Sequence, residues 1–315
     1  MEYVIVASVL LLFLLFLGWN AFLWGYHDKY TEPVEPQLQR VFDERCLPIE
    51  LVHTPASGKA LIMVHGFPST PHSYRYAAQR AFEAGYDVFA PLLPGFGTQP
   101  EDLYGTSFTQ WYGYLVRVYR EKRAAYRFLG VVGTSMGGAM TLRIGEDFCG
   151  KPEAPDALIT VAAPVFLNNL RLRTVKRWNL YVMRTAALFI PALKADIYRG
   201  GTQVNDGDEL WIGYRGLFIR GGLSLMKALQ PIKRNLGRIT CPLLCFHDTG
   251  DKTVPYRNLG FITTHVRALP CIERTVHMTA SHNKHCLLMY RSVQKDLTDE
   301  ILDFCGKADH TLQKE

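Results

Sequence analysis

Short apolar runs recur along the chain, and stretches with helical spacing separate several of them. The runs are Ala60–Val64, Tyr86–Pro91, Phe128–Val132, Ala157–Ala162, Leu243–Phe246 and Ile272–Met278, with helical patterns at Ser73–Ala84, Ser107–Tyr126 and Ala139–Phe148. Strands that are apolar at nearly every residue are typical of a parallel sheet covered on both faces, because neither face meets water. The chain is therefore expected to form an α/β fold, a mostly parallel sheet with helices on both faces.

The N-terminal segment Tyr3–Trp24 is apolar and carries no charge over 22 residues. At about 1.5 Å per residue, a helix of this length spans the hydrocarbon core of a bilayer. A cleaved secretory signal is the alternative, but it needs a positive first region and a small-residue cleavage site. Glu2 is the only early charged side chain, and no good cleavage site follows. Residues 1–25 are therefore predicted to form an uncleaved transmembrane anchor, and residues 26–46 a linker.

The side of the membrane is indicated by two weaker patterns. Lys29, Arg40 and Arg45 follow the apolar segment, whereas no Lys or Arg precedes it. The positive-inside rule then favours a cytoplasmic location for the domain that follows the segment. The 7 cysteines are an odd number without framework spacing, which favours a reducing compartment. Cys241 and Cys245 are interpreted as buried thiols on a strand rather than metal ligands, because no second pair matches them.

Composition excludes little else. The 315 residues are 48% hydrophobic and 20% charged, as in ordinary globular proteins. The net charge of +6 is modest and no long run of like charges occurs, so a nucleic-acid partner is not expected. An anionic membrane surface is compatible with this charge. The oligomeric state is not indicated.

Ser135 stands in the segment Gly133-Thr134-Ser135-Met136-Gly137, a G-x-S-x-G pattern. Roughly one chain in ten of this length would contain the pattern by chance, so the context decides. An apolar run precedes it and a helix-compatible run follows, which is the strand–turn–helix that a nucleophile elbow requires. Small residues there let the strand and helix approach closely. Ser135 is therefore predicted to be a nucleophile.

A serine nucleophile needs a base and an acid, and the sequence offers two of each. Asp248 and Asp251 follow the Leu243–Phe246 run, and His282 and His285 follow the Ile272–Met278 run. The order serine, acid, histidine is that of α/β hydrolases. The histidines His247 and His277 are interpreted as strand-end residues.

The transition state of acyl transfer also needs donors for its oxyanion. His65-Gly66-Phe67 follows the first apolar run and forms a suitable loop. The backbone N–H groups of Phe67 and Met136 are predicted to form the oxyanion hole. His65 is interpreted as a structural residue that holds this loop.

About eighty residues separate the Ala157–Ala162 and Leu243–Phe246 runs, more than one crossover needs. Asn169–Lys194 is predicted to form one or two amphipathic helices, with Arg173, Arg177 and Arg184 on one side, and Ser224–Asn235 another helix. The interval is interpreted as a helical cap over the sheet; an extra helical layer without a gating role is the alternative. The basic side is either solvated or in contact with an anionic bilayer.

Together these motifs resemble the α/β-hydrolase superfamily, and within it the small-capped bacterial carboxylesterases and monoacylglycerol lipases. The resemblance covers roughly residues 58–306 and is carried by LIMVHGF, LLPGFGT, VVGTSMGG, HDTGDKTVP and SHNKHCLL. It implies a core formed by residues 47–165 and 236–306, a helical cap at 166–235 and a C-terminal tail at 307–315.

The resemblance also ranks the candidate acid and base. Asp251-Lys252-Thr253-Val254 matches the D-x-x-V pattern of the family's acid, which favours Asp251 over Asp248. His285 precedes an apolar run, as the family's base does, but it lies two residues farther from Ser281 than the family's Ser-x-His pattern, which keeps His282 open.

The resemblance implies cleavage of carboxylic esters through an acyl-enzyme on Ser135, with no cofactor and no metal. The predicted membrane anchor and apolar cap suggest small acyl-ester or lipid-like substrates. A thioesterase or acyltransferase with the same three residues is the alternative, and a non-catalytic binding module is a further one.

Overall fold

The computed structural model describes residues 1–21, 23, 25–167, 182–279 and 283–312. Within them lies a seven-stranded sheet of order β1-β3-β2-β4-β5-β8-β9, and a separate two-stranded sheet of β6 and β7. The strands are β1 Ile49–Leu51, β2 Lys59–Val64, β3 Asp87–Ala90, β4 Phe128–Thr134, β5 Ala157–Val161, β6 Ala192–Tyr198, β7 Gly213–Phe218, β8 Leu243–Asp248 and β9 Cys271–Val276. Each of the six apolar runs overlaps a strand of the large sheet.

The described α-helices are α1 Glu2–Ala21, α2 Arg75–Glu83, α3 Pro100–Tyr104, α4 Phe108–Ala125, α5 Met136–Phe148, α6 Met183–Phe189, α7 Ile219–Asn235, α8 Asn258–His265 and α9 Gln294–Leu312. Short 3-10 helices lie at Leu38–Arg40, Glu44–Cys46, Pro71–Tyr74, Asp208–Leu210, Leu236–Arg238 and Leu287–Met289.

Strand pairing is parallel from β3 through β9 in the large sheet, as the apolar runs predict. Among the described strands of this large sheet, only the edge pair β1–β3 is antiparallel. The three residues of β1 are too few to show a periodicity, so the sequence did not indicate this strand.

Both faces of the sheet are buried, which explains the continuous apolar runs. Along β2, Ala60 and Ile62 belong to one apolar cluster and Leu61 and Met63 to the other. Side chains of α4 and α5 complete the first cluster, and those of α2 and α9 complete the second. The predicted fold class, an α/β hydrolase with helices on both faces, is confirmed.

The insertion between β5 and β8 is not purely helical. The helix predicted to reach Lys194 ends at Phe189, and Lys194 lies in β6, which pairs with β7 as an antiparallel hairpin. Pro191 explains the change, because a proline disfavours helical conformation in the residue before it. The helix predicted over Ser224–Asn235 is present within α7. Residues 168–181, which include Arg173 and Arg177, lie outside the described residues.

The apolar helix α1 has the length and composition to cross a membrane over Glu2–Asn20, and residues 2–16 of it are exposed. Its last turn is attached to the cap. The Asn20 amide donates to Thr185 Oγ1 at 2.9 Å and accepts from the Thr185 N–H at 2.9 Å. Arg184 lies over the Trp19 ring, 3.5 Å from its centroid, and is only 7% exposed. The prediction of Arg184 on a solvated or bilayer-facing side is therefore wrong, because Trp19 covers it.

Residues 26–46 connect α1 to the sheet, and hydrogen bonds attach them to α4. Asp28 accepts hydrogen bonds from the N–H and the hydroxyl of Thr109 at the start of α4. The Gln110 amide donates to Glu32 O at 2.7 Å, and Cys46 is fully buried. The linker is thus held along the surface of the hydrolase domain.

Cys149 and Cys241 form a disulfide across 92 positions of the chain. The interpretation of Cys241 as a free thiol is therefore wrong. The pair joins the end of α5 to the residues before β8, so the cap is inserted within the loop that it closes. Cys245 is a buried free thiol on β8, as predicted.

Candidate active site

Ser135 occupies the sharp turn between β4 and α5. Its φ of 56° and ψ of −121° lie in a region that non-glycine residues rarely adopt. The turn is held on both sides, because Ser135 N–H donates to Val161 O at 2.9 Å and Ser135 O accepts from Ala139 N–H at 3.0 Å. Ser135 is half-buried whereas Met136 beside it is fully buried, so the turn leaves the serine as the accessible residue.

The glycines around Ser135 are required by close backbone packing. A Cβ on Gly137 would lie 1.9 Å from Val64 O, and one on Gly133 would lie 2.2 Å from Gly137 O. Both distances are far below any contact that a real side chain makes. The outer glycines of G-x-S-x-G therefore let α5 start directly against β2 and β4.

The loop after β2 lies against Ser135. A Cβ on Gly66 would lie 3.1 Å from Ser135 Cβ and 3.7 Å from its Oγ. His65 is fully buried beneath this loop; its Nε2 accepts from Leu93 N–H at 3.1 Å, so its Nδ1 carries the proton that is donated to Gly66 O at 2.9 Å. Burial lowers the pKa of His65 to about 4, so the ring stays neutral. His65 holds the loop, as the sequence predicts.

The N–H groups of Phe67 and Met136 belong to the two segments that flank Ser135. None of the hydrogen bonds found among the described residues uses either N–H as a donor. Met136 is the first residue of α5, where the helix supplies no partner for its N–H. Both groups are therefore available to an oxygen bound in front of the serine.

Asp251 lies in the turn after β8 and is 3% exposed. Its Oδ1 accepts from the N–H groups of Thr253 and Val254 at 2.7 and 2.9 Å. Its Oδ2 lies 2.7 Å from His285 Nδ1. Burial by itself raises the pKa of this carboxyl, but His285 and His247 outweigh it and hold the pKa below its usual range. Asp251 is thus an ionised, oriented acceptor.

Asp248, the other candidate acid, is used within the backbone. Its Oδ1 accepts from Gly250 N–H and its Oδ2 from Met278 N–H, each at 2.7 Å. The first bond closes the turn after β8 and the second joins the ends of β8 and β9, and neither involves a candidate base. The geometry therefore pairs Asp251, not Asp248, with His285.

His285 follows β9 and is 5% exposed. Its segment is bound to that of the acid: Lys252 N–H donates to Asn283 O at 3.2 Å, and the Asn283 amide donates to Thr253 Oγ1 at 3.0 Å. His282, the alternative base, lies outside the described residues. Because β4, β8 and β9 run parallel, Ser135, Asp251 and His285 all follow carboxyl ends of strands at one edge of the sheet.

His247 contacts the acid directly, which its interpretation as a strand-end residue did not include. It is 1% exposed, and its Nε2 lies 3.1 Å from Asp251 Oδ2 and 3.2 Å from Val254 O. Because a carbonyl only accepts, Nε2 carries the proton. His277 is exposed and contacts Thr249 Oγ1. The four-residue spacing from His247 to Asp251 is the signal that sequence reasoning passed over.

Two tyrosines that the sequence did not single out support the site. The Tyr74 hydroxyl donates to Val64 O at 2.7 Å and bonds Thr134 Oγ1 at 2.8 Å, so it joins the ends of β2 and β4. Tyr214 of β7 donates its backbone N–H to Pro68 O at 3.0 Å, and its hydroxyl accepts from Thr98 N–H at 2.7 Å. The cap hairpin is thereby attached to the loop that contains Phe67.

Comparisons with known proteins identify relatives of this chain. A family model described as serine aminopeptidase, S33, matches residues 55–284. The thermostable monoacylglycerol lipase of Bacillus sp. (strain H-257) is 29% identical over 215 residues, which are 64% of this chain and 74% of the lipase.

Two solved structures share the fold. A structure reported for the metagenome-derived lipolytic enzymes LipS and LipT has a TM-score of 0.67 at 22% identity, covering 83% of this chain and 98% of its own. The monoacylglycerol lipase of Paleococcus ferrophilus has a TM-score of 0.61 at 14% identity, with the same coverage of 83% and 98%.

Proposed function

Because the chain belongs to the serine aminopeptidase S33 family and is an α/β hydrolase of the esterase and lipase type, we propose that it cleaves carboxylic esters through an acyl-enzyme on Ser135. Asp251 and His285 complete the proposed catalytic triad, and the N–H groups of Phe67 and Met136 form the proposed oxyanion hole. The relative named a monoacylglycerol lipase supports a small acyl-ester or lipid-like substrate.

The first half of the reaction forms the acyl-enzyme. His285 Nε2 takes the proton of Ser135 Oγ while that oxygen attacks the ester carbonyl carbon. Asp251 Oδ2, 2.7 Å from His285 Nδ1, fixes the tautomer and stabilises the imidazolium that forms. The negative oxygen accepts from Phe67 and Met136 N–H. The carbon–oxygen bond to the alcohol then breaks, and His285 gives its proton to the leaving alcohol.

The second half reverses these roles with water. His285 takes a proton from water, whose oxygen attacks the acyl carbon. The second tetrahedral intermediate collapses, Ser135 leaves and recovers its proton from His285, and the carboxylic acid departs. A thiol leaving group, or an acceptor alcohol in place of water, would use the same steps. Only a comparison of substrates therefore distinguishes ester hydrolysis, thioester hydrolysis and acyl transfer.

The observation that carries this proposal is the strained conformation of Ser135, whose φ of 56° is held by two backbone hydrogen bonds. The test is labelling of the folded, full-length protein with a fluorophosphonate probe. Wild type and the matched control Ser73→Ala are expected to label, whereas Ser135→Ala is not. Equal labelling of Ser135→Ala would exclude this serine as the nucleophile.

The substrate class is tested with p-nitrophenyl esters, monoacylglycerols and acyl thioesters compared on one preparation. We expect the highest kcat/KM among the oxygen esters. Faster turnover of thioesters would favour the thioesterase alternative. Labelling without turnover of any of these substrates would contradict the ester-hydrolase proposal itself.

For α1 we propose an uncleaved transmembrane anchor of the hydrolase domain, with the cap at the bilayer surface. Support comes from its apolar length and from its attachment to the cap through Asn20 and Thr185. A protein that stays soluble after cell lysis and carbonate washing, or that starts after residue 21 by mass spectrometry, would contradict the anchor.

The side of the membrane is proposed from the basic residues that follow α1, which favour a cytoplasmic domain. The Cys149–Cys241 disulfide argues in the opposite direction, because disulfides persist in oxidising compartments. Protease added to intact and to lysed cells distinguishes the two locations of the domain, because a cytoplasmic domain is cleaved only after lysis.

A further inference from the structure

A cavity of about 380 Å³ lies between the end of α1 and the cap, apart from Ser135, Asp251 and His285. Trp19 and the segment Gly25–Tyr30 line one side, Ser107 belongs to the start of α4, and Arg184 and Arg220 line the cap side. None of these residues has a role in the proposed ester cleavage. Its size is within the range of small-ligand sites.

The cavity carries more positive than negative charge. Lys29, Arg184 and Arg220 line it, and Asp28 is its one carboxylate among the described residues. Arg220 is oriented by the bond from its Nε to Ala187 O at 2.9 Å, and Arg184 by the Trp19 ring and Trp19 O. The two guanidinium groups are therefore pre-positioned donors, the kind that recognise phosphate.

The charges of Asp28, Arg184 and Arg220 all act on the hydroxyl of Tyr26. Burial and then Asp28 raise the pKa of Tyr26 to about 12, while Arg220 and Arg184 oppose the rise. All three charged groups therefore lie within electrostatic range of one hydroxyl in the cavity wall.

Asp28 adds a second, independent feature. Its Oδ2 accepts from Thr109, but its Oδ1 is buried and has no hydrogen-bond partner among the described residues. A buried carboxylate oxygen without a donor is costly. A ligand that brings a hydroxyl or ammonium group beside its anionic group would satisfy this oxygen.

Exposed apolar side chains surround the cavity. Leu188, which lines the cavity, is 64% exposed, and Phe189 beside it is 79% exposed. Trp19 belongs to the last turn of the apolar helix α1, whose residues 2–16 are exposed. Exposed apolar side chains thus lie beside a cationic cavity, an arrangement that suits a ligand with an anionic headgroup and acyl chains.

We propose that this cavity binds the phosphate of a glycerophospholipid headgroup, with Arg184, Arg220 and Lys29 on the phosphate and Asp28 Oδ1 on a headgroup hydroxyl or ammonium. The site rests on the proposed anchor, which places the end of α1 at headgroup depth, and it does not depend on the proposed chemistry at Ser135. Free glycerol phosphate shares the polar chemistry, so the test must separate the two sources.

The test measures binding to the full-length protein in maltoside micelles by calorimetry. The probes are dihexanoyl phosphatidylglycerol, dihexanoylglycerol without phosphate, glycerol 3-phosphate and inorganic phosphate. We expect saturable binding of the phosphatidylglycerol, at least about tenfold tighter than that of the other three, because only it supplies phosphate, hydroxyl and chains. Equal binding of dihexanoylglycerol, or of glycerol 3-phosphate, would overturn the lipid headgroup as ligand.

Variants assign the binding to the cavity. Arg220→Gln is expected to weaken phosphatidylglycerol binding at least about tenfold. Arg215→Gln is the matched control, because Arg215 lies on the same cap but stacks on Tyr198 and does not line the cavity. Unchanged binding by Arg220→Gln, or equal losses in the two variants, would overturn the proposal.

Two further variants test the site independently of whether Arg220→Gln folds. Lys29 is exposed, so Lys29→Gln should fold normally and still weaken binding. Asp28→Asn should reduce the preference for phosphatidylglycerol over dihexanoyl phosphatidic acid, which lacks the headgroup hydroxyl; an unchanged ratio contradicts the role of Asp28. Fluorophosphonate labelling of the same variants is expected to match wild type, so failure of the lipid site and failure of the nucleophile assignment are distinguishable.

Discussion

His247 and His285 contact the same carboxylate oxygen, Oδ2 of Asp251, at 3.1 and 2.7 Å. The other oxygen accepts from two backbone N–H groups. The carboxylate therefore has four neighbouring donors, and the negative charge offered to His285 is shared with His247. The histidine beside the acid is a positioning residue in this arrangement.

Replacing His247 is expected to change catalysis without changing substrate binding. His247→Leu should lower kcat roughly tenfold at constant KM, because Asp251 loses one of the bonds that orient it. The acidic limb of the pH profile should move to higher pH, since the carboxylate then gives its charge to His285 alone. His247→Gln keeps an N–H donor and should restore much of the activity. A purely structural His247 would leave the pH profile in place.

The two aspartates near the end of β8 should respond differently to the same change. Asp251→Asn is expected to lower kcat about 10³–10⁴-fold, because the amide favours the wrong tautomer of His285. Asp248→Asn should retain most of the activity per folded molecule and lose thermal stability, because its oxygens accept from Gly250 and Met278 N–H. Ester turnover and a melting curve of each variant check this, and inactive but stable Asp248→Asn would reverse the assignment.

Gly137, two residues after Ser135, should not tolerate any side chain. A Cβ on Gly137 would lie 1.9 Å from Val64 O, so Gly137→Ala must displace backbone and is expected to cost at least about 3 kcal/mol or to prevent folding. Gly113 in α4 is exposed, and a Cβ there meets nothing within 4 Å. Gly113→Ala should therefore stabilise the protein by about 0.5–1 kcal/mol. Denaturant unfolding of the two variants compares them directly.

Glu146 on α5 should make the protein less stable at alkaline pH. Its two carboxyl oxygens are buried without hydrogen-bond partners among the described residues, and burial, with a smaller contribution from Asp147, raises its pKa to about 8 against Arg143 and Arg238. The folded state thus keeps a proton that the unfolded state releases near pH 4.5, so this contribution to stability is full below 4.5 and lost as the pH rises through 8.

Glu146→Gln is expected to remove that dependence. At pH 8 it should be more stable than wild type by about 1–3 kcal/mol, with little difference near pH 4. Melting temperatures between pH 4 and pH 9 provide the measurement. Parallel pH curves for the two proteins would show that Glu146 is ionised or solvated in the folded state.

The disulfide should stabilise the domain that contains the cap. The loop closed by Cys149 and Cys241 spans 92 positions, for which chain entropy predicts about 4.6 kcal/mol. The double variant Cys149→Ser, Cys241→Ser should unfold at lower denaturant, whereas Cys271→Ser should not. Alkylation of the unreduced, unfolded protein should modify the five cysteines that are free. Modification of all seven would show that the pair is reduced where the protein is made.

The strands and the turn at Ser135 could be predicted because their signals are local. Continuous apolar runs fix buried parallel strands, and the glycines beside Ser135 meet backbone atoms that any such turn brings close. Asp251 was preferred as the acid only through the family's D-x-x-V pattern, since the bonds that Asp251 and Asp248 accept from backbone N–H groups could not be predicted from the sequence.

The features that the sequence did not reveal depend on contacts between distant segments. The pairing of Cys149 with Cys241, the contact of Asn20 with Thr185 and the bond from Tyr214 to Pro68 each join positions more than ninety residues apart. The hairpin of β6 and β7 was obscured because its strands mix exposed and buried residues without a clear alternation. The contact of His247 with Asp251 was missed because a spacing of four residues across a turn does not by itself show that two side chains meet.

The paired hydrogen bonds between Asn20 and Thr185 have a kinetic consequence for an anchored enzyme. In the proposed anchored state they hold the hydrolase domain at one height above the bilayer, so the domain does not sample the bulk solution. A substrate that resides in the membrane then reaches it by lateral diffusion in two dimensions. Its turnover should follow the mole fraction of substrate among the lipids, and diluting that substrate with inert lipid should slow the reaction even when the amount in the tube is unchanged.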